Sequence, residues 1–329
     1  MTGKGEFEFI ARQLAPLSAG FEGALSLRDD AALIDVPDGF TLVVTSDTLI
    51  EGRHFPVDEN PALATRKALR TNLSDLAAMG ADPIAYMTNV TWPQTGSDRR
   101  MDGFVEGLRQ DQSEFGIHLI GGDTTRTDGP WVISITAFGQ VPIGQAVKRS
   151  GAKPGDDVWV TGTIGDAALG LMMAQGHGLS LSRKDAEWIS RRFQIPAPRV
   201  NLAERLRDHA SAAVDISDGL LADLNHIAYA SNTTIEIDLE SVPLSEPVRR
   251  WLSQQPDQDR ALLKLATAGD DYELAVAISP SKAEAFSQWC EAQNVPISKV
   301  GHVHERTPEV IANFKGQRLE LDRLGFTHF

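Results

Sequence analysis

The acidic residues of this sequence cluster in short polar segments beside small and hydroxyl residues. Asp29 and Asp30 precede Ala31-Ala32-Leu33-Ile34, and Asp47 lies in Thr45-Ser46-Asp47-Thr48 at the end of an apolar run. Asp75 lies in Asn72-Leu73-Ser74-Asp75, and Asp123 in Gly121-Gly122-Asp123-Thr124-Thr125. Asp215 and Asp218 bracket Asp215-Ile216-Ser217-Asp218-Gly219, while Asp270 and Asp271 follow Gly269. Carboxylates at strand tips and in glycine-containing turns can converge without disturbing helix packing. The chemistry this suggests is that of Mg2+, a small hard cation held by a few carboxylates together with substrate phosphates and water. A polyphosphate approaches so many acids only with cations between. Cations that bridge phosphate oxygens neutralise charge during phosphoryl transfer.

Each segment also has a plainer reading. An Asp-Asp pair is commonly a turn or a cap. Thr45-Ser46-Asp47-Thr48 could cap the element that follows, and Asp75 could be an exposed helix acid. Ser217 or Asp218 could cap a helix start. His54 could be structural or solvated, and Arg149 beside Lys148 could be a solvated pair. Gly121-Gly122 is the sharper signal, because glycine admits backbone conformations that other residues avoid. The P-loop, the dinucleotide fingerprint, the protein-kinase set, the Gly-x-Ser-x-Gly elbow and the His-Glu-x-x-His zinc motif are all missing. No nucleophile stands out.

Placing these groups requires alternating helices and strands. Phe7, Ile10, Leu14 and Leu17 predict an N-terminal helix by their spacing, and Thr41–Thr48 predicts a strand. Asn60 and Pro61 read as the N-cap and first residue of a helix that keeps its period through Leu69, Leu73 and Leu76 and ends at Gly80. Strands are expected at Ile84–Trp92 and Trp131–Val141, with an amphipathic stretch and the short apolar run Ile117–Ile120 between them. Gly151, Pro154 and Gly155 punctuate Arg149–Asp157, which sets expected domains of 1–148 and 149–329. Beyond it, strands are expected at Val158–Thr161, at Val214 and Ile216, at Thr234–Leu239 and at Tyr272–Ile278. Helices are expected at Asp218–Ala230, Arg260–Ala266 and Ser281–Gln293. The fold class is α/β (α+β) in two mixed domains.

Composition bounds the function. The 329 residues suit two domains of roughly 150 each. Lys and Arg total 31 against 45 Asp and Glu, a net charge of −14, which argues against nucleic-acid partners and against an anionic membrane surface. Cys290 is the single cysteine, so no intramolecular disulfide and no cysteine-rich metal site can form. Charges interrupt the apolar N-terminal stretch and no apolar run approaches about 18 residues, so a soluble, cytoplasmic protein is expected.

Taken in order, Val44–Phe55 (VTSDTLIEGRHF), Asn72–Pro83 (NLSDLAAMGADP), Leu119–Arg126 (LIGGDTTR), Arg149–Asp156 (RSGAKPGD), Val160–Asp166 (VTGTIGD), Asp215–Leu224 (DISDGLLADL) and Gly269–Leu274 (GDDYEL) give a specific pattern. The chain resembles the thiamine-monophosphate kinase family, in the superfamily of aminoimidazole ribonucleotide synthetase and selenophosphate synthetase. The resemblance implies a two-domain aminoimidazole ribonucleotide synthetase-like fold. In it an N-terminal domain pairs in a homodimer and a C-terminal domain closes over the nucleotide. It implies direct, Mg2+-assisted transfer of the γ-phosphoryl group of ATP to thiamine monophosphate, giving thiamine diphosphate. The positions matching the family's metal ligands are Asp30, Thr45, Ser46, Asp47, Asp75, Asp123, Asp215 and Asp218. Nucleotide contacts match Gly122, Asp123, Arg149 and Ser217, and thiamine-phosphate contacts match His54, Asp270 and Phe326. Asp123 and Asp218 are the positions implied to be catalytic. Three departures stand out: Ser26-Leu27-Arg28 replaces a glycine-rich lead into the Asp pair, Asp270 replaces Glu, and Phe326 stands where the family often has Tyr. The alternatives are a sister ATP-dependent synthetase, which the lack of an early cysteine disfavours in one case, and an idle nucleotide and metal binder.

Overall fold

A computed structural model describes residues 6–305, 307–320 and 323–326. The chain divides into two units, one of Met1–Leu76 with Ala81–Gly144 and one of Ala77–Gly80 with Gln145–Phe329. In the first unit the strands are β1 (Phe40–Ile50), β2 (Asp82–Pro93), β3 (His118–Thr127) and β4 (Val132–Pro142), and the helices are α1 (Glu6–Phe9), α2 (Pro61–Ala78) and α3 (Ser97–Phe115). The sheet runs β1-β4-β2-β3. β4 is antiparallel to both of its neighbours, and β2 and β3 are parallel.

The β-branched and apolar residues of β1 suit a pleated surface. α2 starts as its sequence predicts: Asn60 Oδ1 accepts the amide of Ala62 at 2.9 Å, and Pro61 needs no donor at the first position. Leu69, Leu73 and Leu76 are fully buried. The amide of Gly80, at φ +65°, returns to the carbonyl of Ala77. Arg66 and Arg70 of α2 clamp the buried Asp111 of α3 at 2.7 and 2.8 Å. Trp92 of β2 stacks on Trp131 and meets Phe9 and Phe104 edge-on.

Two expectations fail here. The N-terminal periodicity does not give one helix: α1 passes into a π turn at Ile10–Leu14 and a 3-10 turn at Ala15–Ser18. Pro16 has no amide hydrogen to continue an α-helix. The run Ile117–Ile120 does not end before the glycines either, since β3 carries Gly121-Gly122-Asp123-Thr124-Thr125 within it. Gly122, at φ +143°, lies where a Cβ would stand 1.9 Å from the carbonyl oxygen of Thr88. The glycine serves strand-to-strand approach, and Asp123 stands on a strand, opposite Asn89, rather than in a turn.

The second unit holds β5 (Asp157–Thr161), β6 (Ala210–Asp215), β7 (Thr234–Asp238), β8 (Leu274–Ile278), β9 (Ile297–His304), β10 (Glu309–Phe314) and β11 (Gln317–Arg318). Its helices are α4 (Asp166–Ala174), α5 (Arg183–Gln194), α6 (Ala203–His209), α7 (Leu220–Ser231), α8 (Glu246–Leu252), α9 (Gln258–Ala266) and α10 (Pro280–Ala292). Its strands order as β11-β10-β7-β9-β5-β8-β6. β8 is buried along its whole length. Ala275 and Ala277 join the cluster built with Leu220, Leu224 and Ile227 of α7, whereas Leu274, Val276 and Ile278 join the one with Leu206 and Phe286. An unbroken apolar run is what a strand covered on both faces requires.

Boundaries differ from expectation at two functional segments. β8 begins at Leu274, because Tyr272 takes φ +50° and leaves the strand region. α7 begins at Leu220, two residues later than expected, and neither Ser217 nor Asp218 caps it. Among the described residues no helix is long and apolar enough to cross a membrane.

Candidate active site

In the first unit a single face of α2 organises the end of β1. Lys67, Thr71 and Asp75 recur every four residues and so line one stripe. Lys67 Nζ donates to the carbonyl of His54 at 3.1 Å. Thr71, whose hydroxyl donates to the carbonyl of Ala68 at 3.1 Å, lies beside the carboxylate of Asp47, and Thr45 Oγ1 donates to Asp75 Oδ2 at 2.5 Å. The stripe therefore ties together three positions expected at the site, Thr45, Asp47 and Asp75, and anchors His54 one turn further along. Burial pushes the Asp47 carboxyl above the usual range, and the Thr71 hydroxyl only partly offsets it. The His54 ring accepts the amide of Ile50 at Nδ1, 3.0 Å away, which leaves Nε2 to carry the proton of the neutral imidazole.

Ser46 is not brought to this face. Strand alternation turns its hydroxyl the other way, onto the carbonyl of Ile135 and the hydroxyl of its cross-strand partner Thr136, at 3.1 and 3.0 Å.

Asp30 and Asp123 are exposed. They border one cavity of about 280 Å³, whose walls include Phe9, Trp92, Phe104 and Ile120 and whose rim includes Gly122. The buried hydroxyl of Thr88, another lining residue, has no hydrogen-bond partner among the described residues. Asp29 Oδ1 accepts the amide of Asp30 at 3.0 Å, and both acids are exposed along the cavity. The lead into this pair adopts positive φ at Leu25, Ser26 and Leu27 (51°, 58° and 53°). That is the region glycine occupies without strain. The backbone of the loop thus takes a glycine-like course without glycine.

In the second unit three segments meet around Ser217 and Asp218. The amide of Asp270 donates to the carbonyl of Ser217 at 2.9 Å, that of Tyr272 to Ile216 at 2.8 Å, and that of Phe326 to Asp218 at 3.0 Å. These bonds bring together four expected site residues, Ser217, Asp218, Asp270 and Phe326. Asp270 itself takes φ +72°, and the Tyr272 hydroxyl donates to its Oδ1 at 3.3 Å. Phe326 keeps 43% of its surface exposed, so its ring is open to stack on a ligand. Asp215 is buried at the end of β6. Arg149 is exposed, and its charge reaches both Asp223 and His226.

The remaining acids of Gly269–Leu274 are structural. Asp271 is buried and accepts the amides of Gly165 and Ala167 at the start of α4, and burial pushes its carboxyl well above the usual range. Burial works against Glu273 too, but Arg199 and Arg192, at 2.6 and 2.7 Å, hold it below the usual range.

Sequence reasoning missed Lys67, Thr71, Asp223 and His226. The four-residue stripe of α2 was a readable signal for the first two. Asp223 and His226 lie on α7, and one donor atom from each, with one from Asp218, falls within 4.8 Å of the others. Burial pushes Asp223 up to about 7 and pushes His226 down.

Comparison with known proteins gives consistent results. The family model for the N-terminal domain of AIR synthase related proteins matches residues 28–141, and that for the C-terminal domain matches residues 153–313. The chain is 44% identical over 324 residues to the thiamine-monophosphate kinase of Caulobacter vibrioides, covering 98% of this chain and 90% of that one. It is similar to the crystal structure of thiamine-monophosphate kinase from Stenotrophomonas maltophilia K279a, with a TM-score of 0.79 and 40% identity over 89% of this chain and 91% of that one. It is also similar to AaThiL complexed with AMPPCP and TMP, with a TM-score of 0.78 and 26% identity over 99% and 97% of the two chains.

Proposed function

This chain belongs to the thiamine-monophosphate kinases, within the AIR synthase related proteins, and we infer that it transfers the γ-phosphoryl group of ATP to thiamine monophosphate. The full-length match to the Caulobacter kinase carries this reading, and the likeness to a structure complexed with AMPPCP and TMP supports its two substrates. An oxygen of the thiamine phosphate forms a bond to the γ-phosphorus, the bond from that phosphorus to the β–γ bridging oxygen breaks, and the products are thiamine diphosphate and ADP. The acceptor phosphate is largely ionised at neutral pH, so the protein need not supply a strong base. Its work is positioning and the neutralisation of charge.

The donors at the site fit Mg2+. Asp30, Asp47, Asp75 and Asp123 offer carboxylate oxygens and Thr45 a hydroxyl, the hard set that Mg2+ takes. Asp47 carries the cost of burial that a cation would relieve. When bound, Mg2+ would neutralise charge on the transferring phosphoryl group. On the second unit, Asp218 and Asp215 are the acids we assign to cations, while Ser217 and Arg149 would contact the nucleotide. We assign the cavity walled by Phe9, Trp92 and Phe104 to the base of the nucleotide, because aromatic walls beside an acidic rim suit a planar base that continues into a cation-bound polyphosphate. His54, Asp270 and Phe326 are assigned to thiamine monophosphate. We further propose a cytoplasmic homodimer formed along β1, one of the two edge strands of its sheet, where Val44 is 54% exposed. Light scattering on the purified protein tests the dimer.

The deciding experiment mixes purified protein with Mg-ATP and thiamine monophosphate and separates the products by chromatography. Thiamine diphosphate formed one-for-one with ADP is expected. ADP and free phosphate without thiamine diphosphate would overturn the acceptor. Nucleotide binding without turnover would leave an idle binder.

A further inference from the structure

The segment Ser217-Asp218-Gly219 presents three consecutive backbone N–H groups to one atom. All three donate to Asp223 Oδ2, at 3.0, 3.0 and 3.2 Å. Successive N–H groups form the concavity that phosphate-binding loops offer to an anionic ligand. Here the chain fills it with its own side chain, and Asp223 is 1% exposed. The amides of the segment are thus occupied from within, which leaves side chains, not backbone donors, to meet a ligand.

The carbonyls of the same segment are committed on its other side. Ile216, Ser217 and Asp218 accept from Tyr272, Asp270 and Phe326. The contact is close: a Cβ on Gly269 would lie 2.0 Å from the carbonyl oxygen of Ser217, and one on Gly325 would lie 2.6 Å from that of Asp218. One short segment therefore sets the position of Ser217 and Asp218 through their own backbone and of Asp270 and Phe326 through theirs. Its amide side is fixed by a single carboxylate oxygen.

We propose that Asp223 is a positioning residue that holds the cation- and nucleotide-binding side chains in register with the two segments that bind thiamine phosphate. The roles of those four side chains rest on the function inferred above. The register itself rests on the hydrogen bonds. Loss of the acceptor then disturbs both substrates together, whereas loss of a direct contact disturbs one.

The test compares Asp223→Leu, which keeps the branched shape and removes the acceptor, with Asp223→Asn, which keeps an oxygen and removes the charge. KM for Mg-ATP and for thiamine monophosphate are measured separately, with Mn2+ binding to the nucleotide-free protein followed by electron paramagnetic resonance. Asp223→Leu is expected to raise both KM values and weaken Mn2+ binding about tenfold, the loss typical of a group that orients a metal ligand. Asp223→Asn is expected to stay within about threefold of the parent in all three. Parent-like behaviour of Asp223→Leu would overturn the proposal, as would a rise in the Mg-ATP KM alone. If Asp223→Asn is impaired about tenfold or more, the charge itself contacts the cation with Asp218 and His226, and positioning is wrong. This last comparison stands even if Asp223→Leu does not fold. An inactive parent protein that binds Mn2+ normally would instead count against the inferred function, and the Mn2+ readout would still judge Asp223.

Discussion

Gly269→Ala is a small change with a large expected effect. The new Cβ would stand 2.0 Å from the carbonyl oxygen of Ser217, 3.0 Å from its carbonyl carbon and 3.2 Å from the Cα of Asp218. All three are backbone atoms, so no side chain can rotate away. Real Cβ contacts are essentially never closer than about 3.0 Å, so the two segments must part by at least about 1 Å. The bond from the amide of Asp270 to the carbonyl of Ser217, now 2.9 Å, lies next to the insertion and is the first to be lost. Such overpacking costs about 1–3 kcal/mol, and a midpoint of ~2 kcal/mol lowers the Tm of a unit of this size by about 4–8 °C. The functional loss is larger, because a displacement of about 1 Å in a positioning element can cost 10²-fold in rate. Thermal unfolding and steady-state kinetics with both substrates measure the two effects on one preparation. If Gly269→Ala keeps full kcat/KM, the pairing of these segments does not position the site. If it loses activity with a Tm drop well beyond 10 °C, the segment is mainly structural.

The other predictions concern single groups. Asp123→Asn should weaken apparent Mg2+ affinity at least about tenfold with an unchanged Tm, since Asp123 is exposed on an edge strand; full activity at limiting Mg2+ would remove it from the ligand set. Phe326→Ala should raise KM for thiamine monophosphate about tenfold through lost stacking while leaving the KM for Mg-ATP unchanged. Glu273→Gln leaves Arg192 and Arg199 facing a neutral partner and should cost about 3–5 kcal/mol in urea unfolding. Glu273 also sets a pH dependence. Its folded carboxyl sits below the usual range, so the unfolded chain binds more protons as pH falls. Its contribution is complete above about pH 4.5 and is lost as pH falls through the lower, folded value. The Gln variant should show a flatter acid limb.

Much of the candidate site could be read from residue types and order. Acids beside hydroxyls and glycines marked Asp47, Asp75, Asp123, Asp218 and Asp270, and the apolar periods of Thr41–Thr48 and of Leu69, Leu73 and Leu76 placed the elements that carry the first two. Local rules suffice there, because an N-cap, a helical period and a β-branched run act over a few residues. The errors fell where distant chain decides. Whether Gly121-Gly122 turns or extends depends on β2 lying against it, and Asp218 lies outside the helix because Asp223 and Phe326 fix its backbone amide and carbonyl. The helices α4, α5 and α8 went unread in the sequence, although Ser182 and Ser245 cap two of them, and all three pack into one apolar cluster around Leu169, Ile189, Val248 and Trp251.

The sequence by itself determined which residues are chemically able to bind a cation-bridged polyphosphate, that two mixed α/β units carry them, and which family they come from. Only the tertiary structure decided how each acid is used. Asp270, Asp271 and Glu273 lie within four residues, yet one accepts the Tyr272 hydroxyl at the candidate site, one is pushed toward neutrality by burial beneath α4, and one is held charged by two arginines. A carboxylate's role is fixed by its burial and by the donors around it, and for Asp271 and Glu273 those donors come from residues about 70 to more than 100 positions away in the chain.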